Sequence, residues 1–111
     1  MWFTGAHGDV GGGYAAHGLS DIALNWMMVK AFNQGIYFVN TAMENGIPKI
    51  TGNPYDIQHF PWQQLPFSLL KVVKRVIPED SKIHSSVQQR MENKELNYNP
   101  VNLPICKEFY D

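Results

Sequence analysis

Gly5-Ala6-His7-Gly8-Asp9-Val10-Gly11-Gly12-Gly13-Tyr14 is the stretch on which the reading of this chain turns. Ahead of it stand Trp2, Phe3 and Thr4, residues that favour extended backbone, so residues 1–6 read as a strand. Behind it, Gly18-Leu19-Ser20-Asp21 opens a long apolar run that reads as a helix. Strand, glycine turn and helix in that order put the turn at the carboxyl end of a strand, where open α/β sheets bind their ligands. Gly11, Gly12 and Gly13 in succession cost backbone entropy, which points to positive-φ turns or close backbone approach. His7 is the side chain before them that can exchange a proton near neutral pH.

Working outward, Ser20 is the expected N-cap of the helix, with Asp21 in the first turn where the helix dipole favours a carboxylate. From Asp21 to Asn33 only Asn25, Lys30 and Asn33 interrupt an apolar run that includes Leu24, Trp26, Met27 and Met28. That stripe is wider than a surface helix needs, so the helix is expected to lie buried against a larger body. Gly35 supplies a stop. Residues 36–45 can continue as a second short helix, with Val39 and Met43 at helical spacing, ended by Gly46-Ile47-Pro48. Residues 51–66 are loop, broken at Gly52-Asn53-Pro54, Pro61 and Pro66, with Phe60 and Trp62 holding the loop to a surface. Residues 67–76 leave helix and strand open. Residues 81–93 read as a helix with Ile83, Val87 and Met91 on one face, and residues 97–111 as extended chain.

The 111 residues are enough for one small domain, and 44% hydrophobic content is that of a globular protein. A net charge of −1 without a basic stripe argues against nucleic acid or an anionic membrane as an electrostatic partner. Cys106 is the single cysteine, which excludes an internal disulfide and a cysteine zinc site. No apolar run approaches the roughly 20 residues of a membrane span. The opening residues lack the basic-then-apolar build of a secretory signal, so the expectation is a chain cytoplasmic as synthesised. A strand starting at Met1 further reads as a chain cut from what precedes it.

Residues 5–14, followed by Leu19-Ser20-Asp21-Ile22-Ala23-Leu24-Asn25-Trp26-Met27, resemble the signature "G-x-H-x-D-V-G-G-G-Y … L-S-D-I-A-L-x-W-M". That signature marks an α/β-hydrolase-like family that includes lipase effectors of bacterial type VI secretion systems. A second block is similar to the family's closing segment: Arg75-Val76-Ile77-Pro78, Ile83-His84-Ser85-Ser86-Val87, Arg90-Met91, Tyr98-Asn99-Pro100 and Asn102-Leu103-Pro104. The resemblance implies an α/β fold, specifically the C-terminal portion of an α/β-hydrolase-like catalytic domain. In it a last strand, a catalytic-His loop and a long buried helix are followed by loop-rich helical segments. Residues 1–111 would then be a partial catalytic domain whose nucleophile-bearing N-terminal part is missing. The partners implied are that missing part and a lipid or other ester substrate. No cofactor is implied, and secretion as an effector follows from the resemblance alone.

In α/β-hydrolases the triad runs Ser, Asp or Glu, then His, with the His on the loop after the last strand. The resemblance therefore makes His7 the general base. The residues alone favour a histidine that caps or braces the glycine turn. Asp9 is read as shaping the loop by accepting N–H bonds from Val10 to Gly13, and Gly11, Gly12 and Gly13 as letting the loop approach the site. His84 is the runner-up base; its plainer reading is a residue at a helix start, bonding locally. His17 and His59 read as solvent-facing. His7, Asp9, His17 and Asp21 are potential metal ligands, but their spacing matches no zinc or calcium pattern, and no metal is expected. G-x-S-x-G is absent, Ser85 and Ser86 read as helix-start residues, and Cys106 has no setting that activates a thiol. Without nucleophile, acid or oxyanion hole the isolated chain is expected to be inert. The alternative is a truncated, non-catalytic remnant or interaction module of the same fold.

Overall fold

A computed structural model describes residues 1–39, 43–44 and 46–111. Its helices are α1 (His7–Gly11), α2 (Gly18–Asn33) and α3 (Ser85–Glu92). Its strands are β1 (Met43–Glu44), β2 (Ile47–Pro48), β3 (Ile83–His84) and β4 (Phe109–Tyr110). β1 and β2 form an antiparallel pair, and β3 runs parallel to β4, with Ile83 opposite Phe109. Trp2 joins β3 on its other edge through a parallel bridge: its N–H reaches the Lys82 carbonyl at 2.8 Å, and the His84 N–H reaches its own carbonyl at 2.9 Å. The result is a small mixed arrangement of helices and strands around a short parallel sheet, with β3 central.

The expected strand over residues 1–6 is thus reduced to the one ladder position at Trp2. The turn expected across residues 8–18 begins as a helix, because Ala6 accepts N–H bonds from both Asp9 and Val10. α2 starts ahead of Ser20. His17 is its N-cap, while the Ser20 hydroxyl donates back to the His17 carbonyl at 2.9 Å. The N–H of Gly18 is satisfied by a carboxylate from far along the chain, Asp56, at 2.8 Å, which no local pattern reveals. The end of α2 follows local chemistry. Gly35 sits at φ +88°, its N–H bonds the Phe32 carbonyl and the Ile36 N–H bonds that of Ala31, the paired closure of a left-handed helix cap.

Within this chain α2 is only partly buried. Its buried residues are Gly18, Leu19, Ser20 and Met28, while Leu24 and Met27 stay 47% and 59% exposed. The second helix expected over residues 36–45 does not form at residues 36–39, and Met43 and Glu44 are strand; residues 40–42 and Asn45 lie outside the described residues. Of residues 67–76, only Phe67–Leu69 form a 3-10 turn, and the rest is neither helix nor strand. Leu69, Val73 and Val76 are 79%, 78% and 83% exposed, so nothing among the described residues supplies the burial that either regular form needs. The helix expected over 81–93 is split. Ile83 is fully buried as a strand residue, and α3 then carries buried Val87.

Among the described residues, the buried apolar side chains are Leu19, Met28, Ile83, Val87 and Pro104, matched by as many buried polar ones: Thr4, Asp9, Ser20, Ser86 and Arg90. Polar bonds therefore carry much of the tertiary order. The Cα radius of gyration, 15.5 Å, exceeds the roughly 13 Å of a close-packed domain of this length.

Candidate active site

α1 places the glycine-turn residues individually. His7 is its first residue and is exposed, with no acid meeting its ring among the described residues. Asp9 is the third residue of the helix, where a carboxylate can fold back onto the N-cap amide. Its Oδ2 accepts the Ala6 N–H at 2.9 Å. Its remaining bonds come from the loop after α2: the His59 N–H at 3.1 Å and the His59 Nδ1 at 2.6 Å. The expected donors, Val10 to Gly13, are not its partners, because they follow Asp9 along the helix whereas its side chain points back toward the N-cap.

His59 was read from sequence as solvent-facing. Instead its side chain is only 28% exposed and rests on an Asp9 carboxylate that is 1% exposed. Its ring stacks on Tyr14 with centroids 3.7 Å apart and planes 16° from parallel. The missing signal is distance along the chain, since Asp9 and His59 are 50 positions apart. The motif's small residues make room for this cluster. Gly5 holds φ +116°, and a Cβ there would lie 2.3 Å from the Asp9 Cβ; a Cβ on Gly8 would lie 2.6 Å from the Tyr14 ring. Gly12 and Gly13 take positive φ, and no atom crowds Gly11, Gly12 or Gly13. Close approach thus belongs to Gly5 and Gly8 rather than to the triple glycine.

Beside α1 runs an apolar groove of about 590 Å³, lined by Phe3, Val10, Gly11, Gly12, Leu24 and Met27 among others. The loop that meets Asp9 is pinned from α3. Arg90, 5% exposed, donates to the carbonyls of Pro54 and Asp56, each at 2.7 Å, and lies 5.2 Å over the Tyr98 ring. Burial pushes its guanidinium below the usual value, against the pull of Tyr98, Asp9 and Asp56. Asp56 is held below the usual carboxylate range by the N–H groups of Ile57 and Gly18. Residues 53–59 therefore form a strap that ties α3, the start of α2 and Asp9 together.

His84 is the N-cap of α3. Its Nδ1 accepts the Ser86 N–H at 3.2 Å and meets the Ser86 hydroxyl at 2.9 Å, while its ring lies 4.8 Å from that of Phe3. Burial lowers its pKa against the pull of Asp111, which suits a ring whose Nδ1 must stay unprotonated to accept. Ser86 is buried, so its hydroxyl belongs to this cap. A shallow cleft of about 200 Å³ opens beside His84 and Ser85. His17 is exposed and paired with Asp21 at 2.7 Å. Among the described residues no three His, Cys, Asp or Glu side chains gather to hold a metal, and no helix is long and apolar enough to cross a membrane.

Residues 1–30 match the family model described as "T6SS, Phospholipase effector Tle1-like, catalytic domain". The match takes in the strand residue Trp2, α1 with His7 and Asp9, the three glycines and most of α2. The block from Arg75 to Pro104 lies outside it. No curated protein and no solved structure matches the chain.

Proposed function

We propose that this chain is the C-terminal part of a serine-type hydrolase of carboxylic esters, with phospholipid as its substrate class and His7 as its general base. The observation that carries the reading is the family match over residues 1–30, centred on the turn that bears His7. The geometry is compatible with it: His7 is exposed at the start of α1, and the apolar groove along the same helix suits an acyl chain. A serine from the missing N-terminal part would lose its proton to His7 as it attacks the ester carbonyl. His7 would return that proton to the departing alcohol, then activate water to hydrolyse the acyl-enzyme. Gly12 and Gly13, free of neighbours, let the loop lie against the substrate. The chain alone lacks the nucleophile and is inert on phospholipid; export as an effector is supported by the family match alone.

The test joins residues 1–111 behind the nucleophile-bearing part of a member of this family and measures fatty-acid release from phosphatidylglycerol vesicles. His7→Ala is expected to lower kcat by about 10⁴-fold, the loss seen when a triad member is impaired. Full activity of that variant would remove His7 from the mechanism.

A further inference from the structure

We propose that His59 is a second catalytic imidazole of this chain, with Asp9 as its positioning residue and Nε2 as the atom that accepts the proton. The inference goes beyond the assignment of His7 and does not depend on it. It stands on the direction of three bonds. Both Asp9 oxygens already face N–H donors, from Ala6 and from the His59 backbone, so we assign the 2.6 Å contact with Nδ1 with the ring as donor. The N–H groups of Ala6 and His59 itself hold the same carboxylate and fix where it points. The neutral ring is thereby confined to the Nδ1–H tautomer, and Nε2, which meets no donor or acceptor among the described residues, keeps its lone pair.

Burial is arranged to match. The acid is 1% exposed and closed to water, whereas the imidazole it orients is 28% exposed. Tyr14, stacked at 3.7 Å, removes the remaining freedom, which is rotation of the ring out of the carboxylate plane. An oriented acid, a fixed tautomer and a lone pair without a protein partner on a partly exposed ring are what a general base requires. The step is water-mediated hydrolysis of an acyl ester. Nε2 takes a proton from water as its oxygen bonds to the acyl carbon. The acyl carbon–oxygen bond breaks, the leaving oxygen keeps the electron pair, and the imidazolium then releases the proton to it or to solvent.

Two measurements on the 111-residue chain test this. Long-range ¹H–¹⁵N correlation spectra, taken with the rings neutral, should show the His59 proton on Nδ1; the Nε2–H tautomer would overturn the assignment. Hydrolysis of p-nitrophenyl acetate, whose activated leaving group needs no enzyme nucleophile, reads the free imidazole. His59→Gln and Asp9→Asn should each lower the rate by roughly tenfold, below the range of a base in a complete site, while His17→Gln, at an exposed imidazole paired with Asp21, leaves most of it. Equal rates in wild type and His59→Gln would overturn the proposal. Asp9→Asn keeps the shape of the clamp, and the tautomer of the unaltered chain stands as evidence even where that variant unfolds.

Discussion

Replacing Arg90 by methionine tests whether the strap over residues 53–59 is held from α3. The substitution keeps an unbranched stem against Tyr98 and removes the guanidinium. Two charge-assisted bonds are lost, to Pro54 O and Asp56 O at 2.7 Å, each about 1.5–3 kcal/mol net. The cation–π contact with Tyr98, 5.2 Å away, adds about 0.5–1 kcal/mol. Against this, the buried Nε meets no partner among the described residues, and burial already disfavours the charge, so deleting the group relieves a cost. Pro54 and Asp56 are half-buried, so water can reach their freed carbonyls. The balance is a loss of about 3 kcal/mol, which for a chain of this size lowers Tm by about 12–24 °C. Arg90→Lys, which keeps a charge but not the planar fork, should fall between. The assay is thermal unfolding by circular dichroism, with hydrogen exchange at Gly18, whose N–H depends on Asp56 staying in place. An Arg90→Met chain as stable as wild type, with Gly18 equally protected, would refute the strap.

Gly5→Ala should destabilise by roughly 3 kcal/mol or more, because the residue must hold φ +116° with its new Cβ 2.3 Å from the Asp9 Cβ; a denaturant midpoint unchanged from wild type would contradict this. The pH dependence of stability should carry a His84 component of defined sign. Its folded pKa lies below the ordinary 6.5 through burial, so the unfolded chain binds more protons in the window just below that value. The stabilisation is present above pH 6.5 and lost as pH falls through the window. His84→Asn, which retains a capping side chain, should flatten that part of a melt series between pH 7.5 and 5.5; a slope that persists undiminished assigns it to another group.

The sequence by itself determined the local events. Gly35 closes α2 as a left-handed cap because only the residues around it are needed to make those bonds. The motif around His7 was legible for the same reason, as was the burial of Ile83 and Val87, although they sit on a strand and a helix and not on one helix face. A single cysteine excluded an internal disulfide, and no apolar run is long enough for a membrane-crossing helix. Local pattern also misled where burial decides form. Residues 67–76 are apolar enough for a helix or strand, yet they take neither beyond a 3-10 turn, since nothing described covers them. The start of α2 moved because Asp56, 38 positions away, supplies the bond a local N-cap was expected to give.

Tertiary structure alone decided the site. A histidine in a loop broken by prolines has no periodicity to mark it, and Asp9 had nearer amides to choose from. Only the folding of the 53–59 strap onto α1, fastened by a buried Arg90, brings His59 to the carboxylate and sets Tyr14 over its ring. Hydrogen bonds depend on position to within a few tenths of an ångström. Residues 50 positions apart reach such positions through the packing of every element between them, which a linear motif does not encode.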